Sequence, residues 1–264
     1  MGLLCGPFLL FSTRIVDHSR GDSVIADVPA LKTSGFKQQP VAPLWHTALL
    51  LLILAGLVVG GARLQSHPEP AKYVAPQHSG IVQLYFSIII LQWALVWFVW
   101  WGLRRRGKRL RDLIGRKWDS LKAVLVDVAV AFGFWIVWEA VGRLMHYILG
   151  PSQAKSIDTL LPQGGLESAL WIAVCITAGF CEEVVYRGYL QAQLTALSAS
   201  VAVGVLGQAL LFGISHAYQG MKQVIVITVL GAIYGVLPLW RKSLRPNMIA
   251  HAWSDVFSGL LSRG

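Results

Sequence analysis

The stretch Cys181–Gly188, CEEVVYRG, places two adjacent carboxylates directly after an apolar run. That run, Leu170 to Gly179, reads LWIAVCITAG and is typical of the inside of a membrane helix. Two neighbouring carboxylates there are costly unless they are paired, solvated or protonated. Because ionisable residues inside a membrane segment usually serve a function, Glu182 and Glu183 become the first candidate site residues.

The rest of the chain predicts a membrane protein with several helices. Of its 264 residues, 55% are hydrophobic and only 14% are charged. Each apolar segment approaches the roughly 20 residues that span about 30 Å of hydrocarbon. We therefore predict an all-α, polytopic transmembrane helical bundle of about seven membrane helices. Six segments are strong and the last is weaker; they cover residues 44–62, 81–103, 121–144, 166–190, 201–218, 224–240 and 247–261.

The net charge of +10 is concentrated beside these apolar segments. Residues 104–117, RRRGKRLRDLIGRK, hold eight Lys or Arg against one Asp. Such a cluster indicates the cytoplasmic side, and alternation then places the N-terminus and residues 241–245 there as well. A lipid-binding or nucleic-acid patch is the alternative. We favour a topology determinant that lies on anionic headgroups, with membrane lipid and no nucleic acid as partner.

The predicted organisation has three parts. Residues 1–43 form a loosely ordered cytoplasmic tail, and residues 44–145 form the N-terminal membrane helices with the basic loop 104–117. Residues 160–261 form a second membrane region, which carries the candidate site.

The spacing around the two carboxylates gives them different roles. Glu183 and Arg187 are four residues apart, so they share a helix face and can form an ion pair. Glu182 is rotated by about 100° and shares its face with Tyr186 and Gly179. Glu183 is thus neutralised and Glu182 is the spare carboxylate. Gly179 leaves room beside it for a substrate or for a neighbouring backbone.

Two further helices bring polar residues to a similar depth. Residue 199 is midway between Glu182 and His216 and lies in a turn-like break, so an antiparallel hairpin places both at one height. We expect depths of roughly 8 and 12 Å below the cytoplasmic surface. His251 lies about seven residues into the last helix, at roughly 10 Å, and Asp255 follows one turn deeper on the same face.

Three motifs in this order resemble one known family. EEVVYRG matches Glu-Glu-x-x-x-Arg, FGISH (Phe212 to His216) matches Phe-x-x-x-His, and HAWSD (His251 to Asp255) matches His-x-x-x-Asn/Asp. Over about residues 160 to 261 the chain resembles the CAAX protease and bacteriocin-processing family of intramembrane proteases. That family includes the type 2 CAAX prenyl endopeptidases.

The resemblance implies peptide-bond hydrolysis within the membrane. Glu182 and His216 would activate water, and His251 with Asp255 would stabilise the oxyanion. The residues that would support the site are Glu183, Arg187 and Phe212. The implied partner is a peptide or protein substrate that is membrane-associated or lipidated. The implied location is a bacterial cell inner membrane, with the N-terminus in the cytoplasm.

Two mechanisms remain open because the family is also described as metalloproteases. In one, Glu182 is a general base assisted by His216 and no cofactor is needed. In the other, His216, His251 and Asp255 bind Zn²⁺ and leave a position for water. The His-Glu-x-x-His motif is absent. Asp255 complicates both, since an ionised carboxylate cannot donate to an oxyanion as Asn can. We favour the metal-free mechanism.

Two other functional classes are consistent with the same residues. A non-catalytic scaffold or bacteriocin-immunity-type protein could use the polar cluster structurally. A small proton-coupled transporter could relay protons through it. A transporter often shows an internal repeat or paired broken helices, and we find neither in the sequence.

Overall fold

The computed structural model describes residues 39–66, 78–150 and 161–261, which belong to one compact unit. Helices form nearly all of it, and an isolated bridge between Gly115 and Ser243 is the only β pairing in these ranges. The predicted all-α bundle is confirmed. The prediction for the tail falls, for residues 1–38, outside the described residues. The helices are α1 (Leu44–Ser66), α2 (His78–Arg104), α3 (Leu110–Ile114), α4 (Leu121–Leu149), α5 (Gly165–Glu182), a π-helical segment (Glu183–Leu190), α6 (Gln191–Ser198), α7 (Val201–Ser215), a 3₁₀ turn (Ala217–Gln219), α8 (Met221–Arg241) and α9 (Arg245–Leu261).

Each of the seven predicted apolar segments is helical, but they differ in length. Five are long and apolar enough to cross a membrane: α1, α2, α4, the continuous helix 165–198, and α8. The two that fall short are α7, with 15 residues, and α9, with 17. At about 1.5 Å per residue, α7 is roughly 22 Å long, less than the hydrocarbon thickness. The shorter helices are those that present His216 and His251.

The π-helical segment lies at the centre of the packing. Helix α5 packs against α2 and α9, α7 packs against α6 and α8, and α4 packs against α9 and α8. Val184, Tyr189 and Leu190 of the segment are fully buried in a cluster with Leu50 of α1 and Val99 of α2. The chain that carries the paired carboxylates is thus enclosed on all sides by apolar helices.

A buried hydrogen-bond chain ties α1 and α2 to this segment. His46 contacts the Tyr189 hydroxyl through Nδ1 at 2.8 Å and the Phe98 carbonyl through Nε2 at 2.9 Å. A carbonyl can only accept, so Nε2 carries the proton and Tyr189 donates to Nδ1. Thr47 lies 2.9 Å from the same hydroxyl, and its oxygen accepts from the Gln193 amide at 2.9 Å. Every member of the chain is satisfied, which fixes the π-helical segment against α1 and α2.

The two basic segments lie together at one end of the bundle. The Arg116 amide donates to the Lys242 carbonyl at 2.9 Å, and the Leu244 amide donates to the Ile114 carbonyl at 2.9 Å. Gly115 allows this approach, because its φ is +84° and a Cβ there would lie 2.3 Å from the Lys242 oxygen. Residues 104–117 and 241–245 are therefore on the same side, as the alternation of helices requires. That this side is cytoplasmic stays a prediction.

Candidate active site

Glu183 and Arg187 form the ion pair that their spacing predicts. Glu183 Oε1 lies 3.1 Å from Arg187 Nη1, and neither side chain has any exposed surface. The Arg187 guanidinium also lies 4.1 Å above the centre of the Phe212 ring and 5.6 Å from that of Tyr234. The pair sits in a π-helical stretch, a rare geometry that often marks functional sites. Arg187 is thus held by a carboxylate and by two aromatic faces in a fully buried place.

Glu182 lies in a different environment although it is the adjacent residue. Its side chain is 23% exposed. One carboxylate oxygen accepts from Gln92 Nε2 of α2 at 3.1 Å, and the other lies 3.7 Å from His251 Nε2. No Arg or Lys of the described residues pairs with it. Glu182 is therefore the accessible, incompletely neutralised carboxylate of the two.

His251 bridges the two carboxylates. Its Nδ1 lies 2.8 Å from Glu183 Oε1, while its Nε2 lies 3.7 Å from Glu182 Oε2 and 3.6 Å from Asp255 Oδ2. An ionised carboxylate only accepts, so the Nδ1 proton is donated to Glu183. The sequence predicted Arg187 as the one partner of Glu183. The structure adds a second contact, which fixes the orientation of the His251 ring.

His216 follows the last turn of α7 and is half-buried. Its Nδ1 lies 2.8 Å from the Phe212 carbonyl, so that nitrogen is the donor and Nε2 keeps a free lone pair. The Phe212 ring contacts both imidazoles, with centroid distances of 4.7 Å to His216 and 6.0 Å to His251. Glu182 and His216 are not joined by a hydrogen bond; each has another partner, Gln92 and the Phe212 carbonyl. The three motif helices thus meet around Phe212.

Gly179 sets the distance between α5 and α9. A Cβ at this position would lie 2.7 Å from the Met248 carbonyl oxygen and 2.9 Å from the Ala252 nitrogen. Of the two uses that the sequence left open, a neighbouring backbone therefore takes the space. The close approach brings His251 within reach of Glu182 and Glu183.

Two contacts of the site escaped sequence reasoning. Gln92 interrupts the apolar stretch of α2, and its second amide atom, Oε1, is buried with no hydrogen-bond partner among the described residues. Tyr186 shares a 2.6 Å hydrogen bond with Ser215, which joins the π-helical segment to the end of α7. A lone polar residue in an apolar segment was the available signal for Gln92.

The two carboxylates of α4 do not join the site. Asp127 accepts from Trp118 Nε1 at 2.8 Å and from Arg241 Nη2 at 2.5 Å. Glu139 lies 3.7 Å from Arg143, an ion pair that the sequence spacing predicts. Both carboxylates have their own partners, so the accessible acidic groups near the histidines are Glu182 and Asp255.

The residues suggested for zinc do not form a ligand set. Within residues 39–66, 78–150 and 161–261, no group of three His, Cys, Asp or Glu side chains is arranged to hold a metal ion. His251 uses Nδ1 for Glu183, and its Nε2 lies 3.6 Å from the Asp255 carboxylate. His216 is not arranged with these two as a third ligand, so no step of the reaction proposed below runs through a metal.

In this all-α bundle, His251 of α9 lies beside carboxylates of α5 and of the π-helical segment, which brings two of the three sequence motifs together. In agreement, residues 164–257 match the family model described as Rce1-like, type II CAAX prenyl endopeptidase Rce1-like. No curated protein and no solved structure matches the chain. The match begins at α5 and ends within α9, so it includes every site residue named from the three motifs. The match agrees with the family that the three motifs predict, over residues 164–257. The family is one of membrane endopeptidases, which supports an integral membrane protease in general.

Proposed function

We propose that this protein is an intramembrane endopeptidase that hydrolyses a peptide bond of a membrane-associated or lipidated protein or peptide. One observation carries the proposal. Glu182, the accessible carboxylate, lies 3.7 Å from His251, whose other ring nitrogen is fixed by Glu183 at 2.8 Å. Phe212 contacts both His251 and His216. A partly exposed carboxylate thus lies next to one imidazole, and the Phe212 ring contacts that imidazole and a second one.

Glu182 and His216 are the groups that activate water in this proposal. Glu182 accepts a proton from the water, and the free Nε2 of His216 accepts a hydrogen bond that orients it. The water oxygen then attacks the carbonyl carbon of the scissile bond. After the tetrahedral intermediate forms, the proton passes from Glu182 to the leaving nitrogen. The C–N bond breaks, and a new carboxyl terminus and a new amine result.

His251 is the donor to the oxyanion. Because Nδ1–H is donated to Glu183, the ring is held with its Nε2 towards Glu182. A protonated Nε2 between two carboxylates can donate to negative charge that develops on the carbonyl oxygen. Asp255 lies 3.6 Å from Nε2, and its negative charge stabilises the protonated imidazole. Asp255 therefore need not donate a hydrogen bond to the oxyanion. This role resolves the difficulty that an ionised Asp raises at a position where Asn is common.

Gln92 positions the general base. Its amide N–H fixes one oxygen of Glu182 at 3.1 Å, which leaves the other oxygen for the water.

The remaining elements support this site. We propose that residues 160–261 act as the catalytic membrane region and that residues 44–145 shield it from lipid. We further propose an inner membrane of a bacterial cell, with the basic end of the bundle in the cytoplasm. The charge pattern supports the proposed orientation, and the family match over residues 164–257 supports a membrane location.

The test is hydrolysis by purified protein reconstituted in lipid. A peptide with a C-terminal CAAX sequence is offered with and without an isoprenyl group, in water enriched in ¹⁸O. We expect internal cleavage, with one heavy oxygen in the new carboxyl terminus, because water is the nucleophile. Intact peptide in the presence of folded protein, for the lipidated and the unlipidated form, would count against the proposal.

A further inference from the structure

A cleft of about 330 Å³ opens at the basic end of the bundle, away from the site described above. Three segments form it: the loop after α3, the first turn of α4 and the end of α8. The residues that matter here are Arg116, Lys117, Trp118, Lys122, Arg241 and Ser243. Neither the family motifs nor the proposed reaction uses any of them.

The walls of the cleft are held in place by hydrogen bonds between distant parts of the chain. Asp127 accepts from Trp118 Nε1 at 2.8 Å and from Arg241 Nη2 at 2.5 Å, so one buried carboxylate joins all three walls. The Arg245 guanidinium lies 5.3 Å from the centre of the Trp118 ring and helps to hold it. The loop backbone is fixed by the bond from the Arg116 amide to the Lys242 carbonyl. The cleft is therefore preformed.

The cleft keeps a positive charge after the ion pairs among its own residues are set aside. Asp127 pairs with Arg241, and Asp119 lies 3.5 Å from Arg116 on the surface. No carboxylate in the described part of the chain pairs with Lys117 or Lys122. Both lysines line the cleft and their ammonium groups are available to a ligand.

The start of α4 adds to this positive potential. Ser120 caps the helix by accepting from the Ala123 amide at 3.2 Å, and this leaves the amides of the first two helical residues for another acceptor. A long helix also carries a partial positive charge at its N-terminus, which favours anions. The cleft thus offers both charged side chains and backbone donors to one small anion.

The position of the cleft indicates where that anion comes from. The candidate membrane span of α4 begins at Leu121, and that of α8 ends at Arg241. Both boundaries lie in the wall of the cleft, which places it at the level of lipid headgroups. Trp118 is 44% exposed and Trp240 is 64% exposed at the same level, as expected for interfacial anchors. A phosphate at this depth belongs to a phospholipid.

We propose that this cleft is a specific binding site for the phosphate of an anionic phospholipid headgroup, held by Lys117 and Lys122 over the N-terminus of α4. The site is distinct from a diffuse attraction of residues 104–117 to the membrane surface. It is also independent of the proposed peptidase activity, since it shares no residue with that site.

The experiment counts bound lipid by native mass spectrometry on protein from mixed micelles of phosphatidylglycerol and phosphatidylcholine. Wild type should retain one phosphatidylglycerol in preference to phosphatidylcholine. Lys117→Gln with Lys122→Gln should weaken this binding at least about tenfold, because each lysine donates a charge-assisted hydrogen bond directly to the phosphate. The control pair, Arg106→Gln with Lys108→Gln, removes the same charge from the exposed loop outside the cleft and should change the binding little.

Two results would overturn the proposal. Equal weakening by both pairs of substitutions would mean that only surface potential attracts the lipid. Displacement of phosphatidylglycerol by millimolar inorganic phosphate would mean that the cleft takes a free anion. We expect inorganic phosphate to compete poorly, because it lacks the acyl chains that hold the headgroup at this depth. Melting temperatures of both variants establish that they fold.

Discussion

The substitution Glu183→Gln tests the most connected group of the candidate site. It removes the negative charge that faces Arg187 at 3.1 Å and His251 at 2.8 Å, in a place where Glu183 and Arg187 are fully buried. Loss of one partner of a buried ion pair costs about 3–5 kcal/mol. Arg187 keeps its contact with the Phe212 ring, so we expect a loss of about 3 kcal/mol.

The assay is reversible unfolding in mixed micelles with increasing dodecyl sulfate, read by circular dichroism. The matched control is Glu139→Gln, an acidic residue of α4 whose partner Arg143 is 82% exposed. That surface pair should contribute no more than about 1 kcal/mol. A Glu183→Gln protein as stable as the Glu139→Gln protein would refute the reasoning about buried charge.

A second variant separates stability from the orientation of His251. Glu183→Gln combined with Arg187→Met removes both charges and should recover most of the lost stability, since an apolar side chain of similar volume can replace a buried pair. Peptide cleavage should stay impaired in the double variant, because His251 still lacks the carboxylate that fixes its ring. Recovery of both properties together would show that Glu183 serves the fold alone.

Three further predictions concern other parts of the site. Gln92→Ala should lower kcat about tenfold with KM little changed, because it removes a hydrogen bond to the charged Glu182. Steady-state kinetics of peptide cleavage measure both constants, and an unchanged kcat would contradict the positioning role. Gly179→Ala should cost about 1–3 kcal/mol, since its methyl group meets the backbone of α9; a stable variant in the same unfolding assay contradicts the close approach. Activity should persist after dialysis against a chelator, and stoichiometric zinc that is lost in His216→Ala would contradict the metal-free mechanism.

The features that the sequence predicted well are local ones. Apolar segments of membrane length marked the helices, and the spacing of Glu183 and Arg187 marked their pair, because both depend on residues within a few turns. The order of the three motifs also gave the family over nearly the same residues, 160–261 against the matched 164–257. The hairpin about residue 199 brought the end of α7 to the level of Tyr186, as its bond to Ser215 requires.

The features that the sequence did not predict depend on how helices pack. His251 and Glu183 are 68 residues apart, and Gln92 and Glu182 are 90 apart. No periodicity along one helix fixes such contacts. The close approach at Gly179 fixes the first, and the packing of α2 against α5 fixes the second. The π-helical segment was missed for a different reason, since its apolar pattern is compatible with an α-helix and its widened turn is a property of the backbone in this environment.

The end of α7 was another difference. The apolar segment 201–218 was predicted as helical throughout, yet α7 ends at Ser215 after 15 residues, whereas α9 covers the predicted segment 247–261 and begins two residues earlier. A helix shorter than the hydrocarbon ends inside it, and polar groups at that end need partners from the protein. His216, which follows α7, has such a partner in the Phe212 carbonyl.

The central claim is that Glu182 activates water in a membrane endopeptidase, and one comparison tests it most directly. Cleavage of a quenched fluorescent CAAX peptide is measured for wild type, Glu182→Gln and the control Glu139→Gln, in the same lipid and with equal amounts of folded protein. The account predicts that Glu182→Gln loses at least about a hundredfold in kcat, as for removal of a general base, while Glu139→Gln cleaves at the wild-type rate. Cleavage by Glu182→Gln at the wild-type rate would contradict it.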